Sequence, residues 1–232
     1  MTRKNGRTDD GGEAAGTSPG PRRTRRRPRR DSEVNRERLL AAAISAMLRE
    51  GRNVPLATIA AEAGVGVATL YRKYADRQAL MHEIEHRAYG LLVHILEEIE
   101  ELGCPGREAV GEYLTRCLEV GDQLVLPLHG APPLMTAEAV RARQTINRHL
   151  DAFLDRGRSD GTIRAEVNAT DVIVFTALIT QPLSYGPSWP RMAGRQIAIF
   201  LNALAVDGPI GIPGPEITQR DIEDSFAAQD AT

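Results

Sequence analysis

The stretch LATIAAEAGVGVATLYRKYADRQAL, residues 56–80, constrains the fold more than any other part of the chain. It starts a helical pattern, breaks at a glycine, runs one or two turns and breaks again at an aspartate. Pro55 suits the first turn of a helix. Leu56, Ile59, Ala60 and Ala63 then form an apolar stripe at helical spacing. Gly64 stops that helix as a left-handed cap, and Val65–Gly66 is the connection. Val67 to about Tyr74 makes a second short helix, and Asp76 caps the next. A helix, a three- to four-residue turn built on glycine and a second short helix define a helix-turn-helix. Ala60 and Ala63 are small, so the two helices cross closely, with Val65 and Leu70 plugging the angle. The opposite face, with Val67, Ala68, Thr69, Arg72 and Lys73, is expected to point outward. Small and short polar residues at its start permit close approach to base edges in a major groove. Tyr71, Arg72 and Lys73 can reach phosphates, which fix register and not sequence.

The residues around this unit extend the helical reading. Asp31–Ser32 is the expected start of the preceding helix, with Glu33 and Glu37 favouring its positive end. Val34, Leu39, Ala42, Ala43, Ala46 and Met47 fall roughly on one face, and Gly51 ends it. The helix after Asp76 carries Leu80, Ile84, Ala88, Leu91, Ile95 and Ile99 to about Glu101. Beyond residue 105 come an amphipathic segment, a stretch broken by Pro127, Pro132 and Pro133, and a long helix opened by Thr136 and closed near Gly157 or Gly161. Two last helices, from about Ala169 and about Pro190, are apolar nearly all round. A helix of that kind must be covered on all sides, which suggests a subunit interface as well as a core.

Charge is distributed unevenly along the chain. Residues 1–30 hold ten Lys/Arg against three Asp/Glu, whereas residues 82–232 hold twelve against twenty-two. The basic end suits a polyanion. Residues 1–30 have almost no apolar side chains and read as a disordered arm. Within it RRTRRRPRR, Arg22–Arg30, is a phosphate-seeking run, with Arg25, Arg26 and Arg27 at its centre. Residues 207–232 are Gly/Pro-rich and then acidic, and read as a mobile tail. The resulting division is an arm at 1–30, a helix-turn-helix domain at 31–80, a helical domain at 81–206 and the tail. No apolar run approaches the roughly 18 residues of a membrane span, and no secretory signal opens the chain. Cys104 and Cys117, thirteen apart, match no zinc or redox spacing, so two reduced thiols in a cytoplasmic protein are expected. No catalytic order of Ser, His, Asp or Cys stands in a supporting context, and an enzyme is not expected. No cofactor or metal is implied.

RERLLAAAISAMLREG followed by VPLATIAAEAGVGVATLYRKYADRQAL resembles the DNA-binding domain of the TetR/AcrR family of bacterial one-component regulators, over about residues 34–85. The resemblance implies an all-α fold with an N-terminal helix-turn-helix domain and a C-terminal ligand-binding and dimerisation domain. It places Gly66 where the family usually starts its recognition helix with Ser. Val67, Ala68 and Thr69 fall at base-facing positions, and Tyr71 and Lys73 at phosphate contacts. Tyr74 replaces the usual Phe. Arg77 replaces the usual Lys, in reach of a phosphate. Further along, DRGRSDGTIRAEVNATDV resembles the segment before the two dimerising helices. Residues 169–184 and 189–206 would then pair with a second copy, with Phe175, Leu178, Ile179, Ile199, Phe200 and Ala203 as expected contacts. A homodimer would read a palindromic operator with recognition helices one turn, roughly 34 Å, apart. A small-molecule effector is expected between the helices of residues 105–185, near His94, Tyr113, Cys117, Met135 and Asn147, with Pro127–Pro133 as wall or lid. The function implied is a regulator, most often a repressor released by the effector. The alternative is a DNA-coating or architectural protein without one.

Overall fold

The computed structural model describes residues 27–51, 53–124, 135–180, 189–205, 217–221 and 224, and for residues 27–32 the backbone only. The described residues are helical, without strands. The helices are α1 (Arg27–Glu50), α2 (Leu56–Glu62), α3 (Val67–Lys73), α4 (Arg77–Leu102), α5 (Gly106–Glu119), α6 (Ala137–Ser159), α7 (Ala169–Thr180) and α8 (Trp189–Ala203). A 3-10 turn, Gly121–Leu124, follows α5.

Two hydrophobic cores organise these helices. One joins Leu39, Leu40, Ala43 and Met47 of α1 to Ile59 and Ala60 of α2, Leu70 of α3, and Leu80 and Ile84 of α4. The other begins one helical turn further along α4, at Ala88, and takes in α5 to α8. The single helix α4 therefore belongs to both. Its buried face includes Leu92 and Leu96 as well as the expected Ile95 and Ile99, while Leu91 is half-buried.

Local signals act where the sequence places them. Gly64 has φ +68°, a conformation that costs any residue with a Cβ about 1 kcal/mol or more. The Asp76 carboxylate accepts a hydrogen bond from the Ala79 amide at 2.8 Å, capping α4. Thr136 does the same for α6, accepting from Ala139 at 3.2 Å. Asn168 and Asp171 form a reciprocal box at the start of α7, with bonds of 3.1 and 2.9 Å.

The structure departs from the sequence reading at the start of α1 and at Val34. Helix α1 starts at Arg27, not at Asp31–Ser32, with Pro28 in its first turn, where a missing N–H costs nothing. Glu37 consequently sits in the third turn and pairs with Arg87 of α4 instead of meeting a helix end. Val34 is 42 % exposed and off the buried face. The long helix α6 closes as expected near the two glycines, ending at Ser159 with Gly161 following at φ +74°. Gly157, inside the helix, has a packing role: a Cβ on it would lie 2.5 Å from the Ile163 side chain. A Cβ on Gly106 would lie 2.2 Å from the Gly157 amide nitrogen, so α5 and α6 cross with their backbones in contact.

Of the tail, residues 217–221 and 224 are described. Residues 217–221 return to the body: Asn168 donates to the Ile217 carbonyl at 3.1 Å, and Asn147 donates to the Gln219 side chain at 2.5 Å. Thr218 and Asp221 cap one another there. This part of the tail lies against α6 and the start of α7. No described helix is long and apolar enough to cross a membrane.

Candidate nucleic-acid interface

Helix α3 is built to be held from one side. Leu70 is fully buried, and its neighbour Tyr74, just past the helix end, is buried with it. Val65 packs against the same core from the turn. The backbone closes the corner: Val65 donates to the Ala60 carbonyl at 3.0 Å, and Thr69 and Leu70 donate to the Gly66 carbonyl at 2.8 and 3.2 Å. Gly66 is the residue before the first helical position, and its φ of −70° is one any residue adopts. Its lack of a side chain is therefore not a backbone requirement. A Cβ there would meet only the Thr69 hydroxyl, at 4.0 Å, so this end of α3 stays thin.

The other side of α3 is open. Val67 is 40 % and Tyr71 51 % exposed; Ala68, Arg72 and Lys73 are exposed and Thr69 is half-buried. On the helix, Ala68 and Arg72 lie one turn apart, each about 160° round from Leu70. They are the middle of the outward face, with Tyr71 and Lys73 on its flanks. The Arg72 guanidinium donates to the Thr69 hydroxyl through Nη2 at 2.7 Å. The expectation that these side chains share one solvent face holds, and Tyr74 fills core as a Phe would.

Arg77 stands differently. Its Nη2 donates to the Val54 carbonyl, tying the start of α4 to the loop before α2. Two ion pairs that sequence reasoning missed clasp α1 to α4, Arg36–Glu83 and Glu37–Arg87. They are separated by 47 and 50 residues along the chain, so no local pattern shows them. Arg25 and Arg26 lie outside the described residues, and Arg27 opens α1.

The residues expected around an effector do not converge. Tyr113 and Cys117 share the sealed second core, where burial pushes the Cys117 thiol up to about 12 and the Tyr113 hydroxyl well above its usual value. Met135 is 66 % exposed and lies against Arg143. Asn147 is engaged by Gln219. His94 is exposed, pairs with Glu98 at 3.3 Å and lines a groove of about 280 Å³ with Ile44, Ile84 and Arg87. A second groove of about 630 Å³ adjoins it, lined by Glu37, Ile44 and Leu48 of α1, Arg87 of α4, and Asp122 and Gln123 of the 3-10 turn. Both grooves lie at the junction of the two cores, not inside the helices of 105–185. The segment Pro127–Pro133 lies outside the described residues.

Helix α7 is apolar nearly all round, as expected, whereas α8 is two-sided, with Arg191 and Arg195 exposed and Ala193 and Ile197 buried. Phe175 and Phe200 stack at 4.0 Å with planes 6° apart, joining α7 to α8. Leu178 is 61 % and Ile199 53 % exposed, with Val174, Met192 and Ala203 also exposed. Ile179 is a correction: it is 2 % exposed in the chain's own core and offers nothing to a second copy. Its carbonyl accepts a bond from the Trp189 indole at 3.2 Å.

A helix-turn-helix with one bare outer face, carried on a helical body by a shared helix, defines a DNA-binding regulator. Residues 39–84 match the family of bacterial regulatory proteins described as the tetR family. The helix-turn-helix domain is that family's, and the arrangement of the helical body is similar to that of solved tetR-family regulators. Solved structures of such regulators share its fold over about three quarters of the chain. A TetR transcriptional regulator from Streptomyces coelicolor is 27 % identical, with TM-score 0.51, covering 74 % of this chain and 99 % of its own. The ketosteroid transcriptional regulator KstR2 of Mycobacterium tuberculosis is 17 % identical, with TM-score 0.60 over 73 % and 94 %. A tetR-family regulatory protein from Rhodococcus RHA1 is 14 % identical, with TM-score 0.60 over 74 % and 97 %. No curated protein sequence matches the chain.

Proposed function

We propose that the chain acts as a homodimeric transcriptional repressor that binds a palindromic operator and is released by a small molecule. The observation that carries this reading is the outward face of α3, anchored by Leu70 and otherwise left in solvent. Dimerisation through α7 and α8 follows from the side chains of Leu178 and Ile199, which lie next to the Phe175–Phe200 stack and stay wet in a single chain. A second copy applied there would set two α3 helices side by side for adjacent turns of the major groove. Gly66, Val67, Ala68, Thr69, Tyr71, Arg72 and Lys73 are the proposed contacts, and Arg77 a backbone tether that can also face a phosphate. Release requires an effector that binds the DNA-incompetent arrangement better. Because α4 belongs to both cores, any shift of the second core is felt by the first.

Selection of bound sites from random duplex DNA by the purified full chain tests the reading. A consensus of two inverted half-sites is the expected result. Equal affinity for all sequences would overturn it in favour of a DNA-coating protein.

A further inference from the structure

We infer that Arg72 is the base-reading residue of this chain, that the base is guanine, and that Thr69 positions it. This rests on the DNA-binding reading above. The argument begins with what the outer face of α3 offers. Reading a base edge in the major groove requires donors or acceptors that reach it. Val67 and Ala68 have none and Gly66 has no side chain. Tyr71 and Lys73 are each about 100° round the helix from Arg72, on the flanks that turn towards the groove walls and their phosphates. Arg72 is the polar side chain at the centre.

Its conformation is set before any DNA arrives. Thr69 lies one turn nearer the helix start, and its hydroxyl accepts from Arg72 Nη2 at 2.7 Å. The bond draws the guanidinium back along the face towards the end of α3 that meets base edges. Ala68 leaves room for it there. One of five N–H donors is used, so the rest of the planar fork remains for a ligand. No carboxylate among the described residues pairs with Arg72, so its charge is not already neutralised. A planar fork of donors matches the O6 and N7 acceptors of guanine, and a held side chain loses less freedom on binding. Thr69 is thus a positioning residue. It is half-buried, to one side of the face, with its oxygen already occupied.

The experiment uses full-length chain and the site selected from random DNA. Affinity is measured for the site and for single base-pair changes at each position, with the wild type, Arg72→Ala, Arg72→Lys, Thr69→Val and Thr69→Ser. The wild type is expected to require guanine at one symmetric pair of positions. Arg72→Ala should lose that preference, about ten- to a hundredfold, while keeping preferences elsewhere and an unchanged melting temperature. Thr69→Val, which keeps the shape and loses the hydroxyl, should blunt discrimination at the same pair, and Thr69→Ser should restore it. An even loss across all sequences in Arg72→Ala, with the consensus intact and the salt slope reduced by about one, would overturn the inference and make Arg72 a phosphate clamp. A wild type that selects no consensus sinks the operator reading itself and this inference with it.

Discussion

At Tyr74 the chain buries a hydroxyl that has no hydrogen-bond partner. The nearby Arg36 guanidinium is turned to Glu83 and makes no bond of acceptable geometry with it. An unmet polar group in a core costs about 1–3 kcal/mol. Tyr74→Phe is therefore expected to leave stability unchanged or raise it by about 1 kcal/mol in urea denaturation. A loss of that size would mean the hydroxyl is bonded. Cys117 carries a pH signature. Its thiol titrates at about 12 in the folded chain, against 9.0 ordinarily, because burial penalises the thiolate. Above pH 9 the unfolded chain gives up this proton first. The folded state then holds more protons, and stability falls by up to about 1.4 kcal/mol per pH unit from this group. Below pH 9 its contribution is complete. Denaturation midpoints at pH 8 to 11 should decline less steeply for Cys117→Ala than for wild type; parallel declines would refute the assignment.

Elements of this fold are set partly by short-range chemistry and partly by contacts no short window contains. The starts of α2, α3 and α4 and the stop at Gly64 were legible because each depends on residues within one turn: Pro55, Gly66, Asp76 with Ala79, and the φ of Gly64. The start of α1 was not, since an Arg-rich run has no apolar periodicity to announce a helix. Nor was the crossing of α5 and α6. Gly157 read as one of two candidate terminators because glycine is common there, yet a Cβ on it would lie 2.5 Å from the Ile163 side chain, and its backbone is what Gly106 passes. A methyl on Gly106 would sit 2.2 Å from both the Gly157 nitrogen and the Phe153 oxygen, so the helices must part. Gly106→Ala is expected to cost about 3 kcal/mol by calorimetry or denaturant. Gly90, midway along α4, has nothing within 4 Å of its missing Cβ. Gly90→Ala should add about 1 kcal/mol, from helix propensity alone. Equal effects at the two sites would contradict the packing account.

Across the whole molecule, the exposed side of α3 was readable in advance and the grooves between the two cores were not. The outer face of α3 follows from one anchor and helical spacing. A pocket requires side chains from several elements to converge, and while Tyr113 and Cys117 share the sealed second core, His94, Met135 and Asn147 each lie elsewhere. The contact of the tail with the body was equally hidden, since Asn147 and Asn168 lie 72 and 49 residues from the groups they hold. Leu178→Asp with Ile199→Asp places charge on the exposed α7–α8 face and should give monomers in sedimentation, with operator affinity falling at least tenfold for each half-site lost. Dimers with unchanged affinity would move the interface elsewhere. Removing residues 1–26 should weaken binding to every sequence and flatten its salt dependence; an unaltered slope would leave the arm without a phosphate role. Helix α4, with 26 residues, is a beam about 39 Å long. Tilting it by about 5° about one end displaces the other by about 3 Å, a large part of the reach of one hydrogen bond. If the two copies swing in opposite senses, the mismatch doubles. In the repressor proposed above, a ligand need only nudge its own end of the beam for both recognition helices to fall out of step with the double helix.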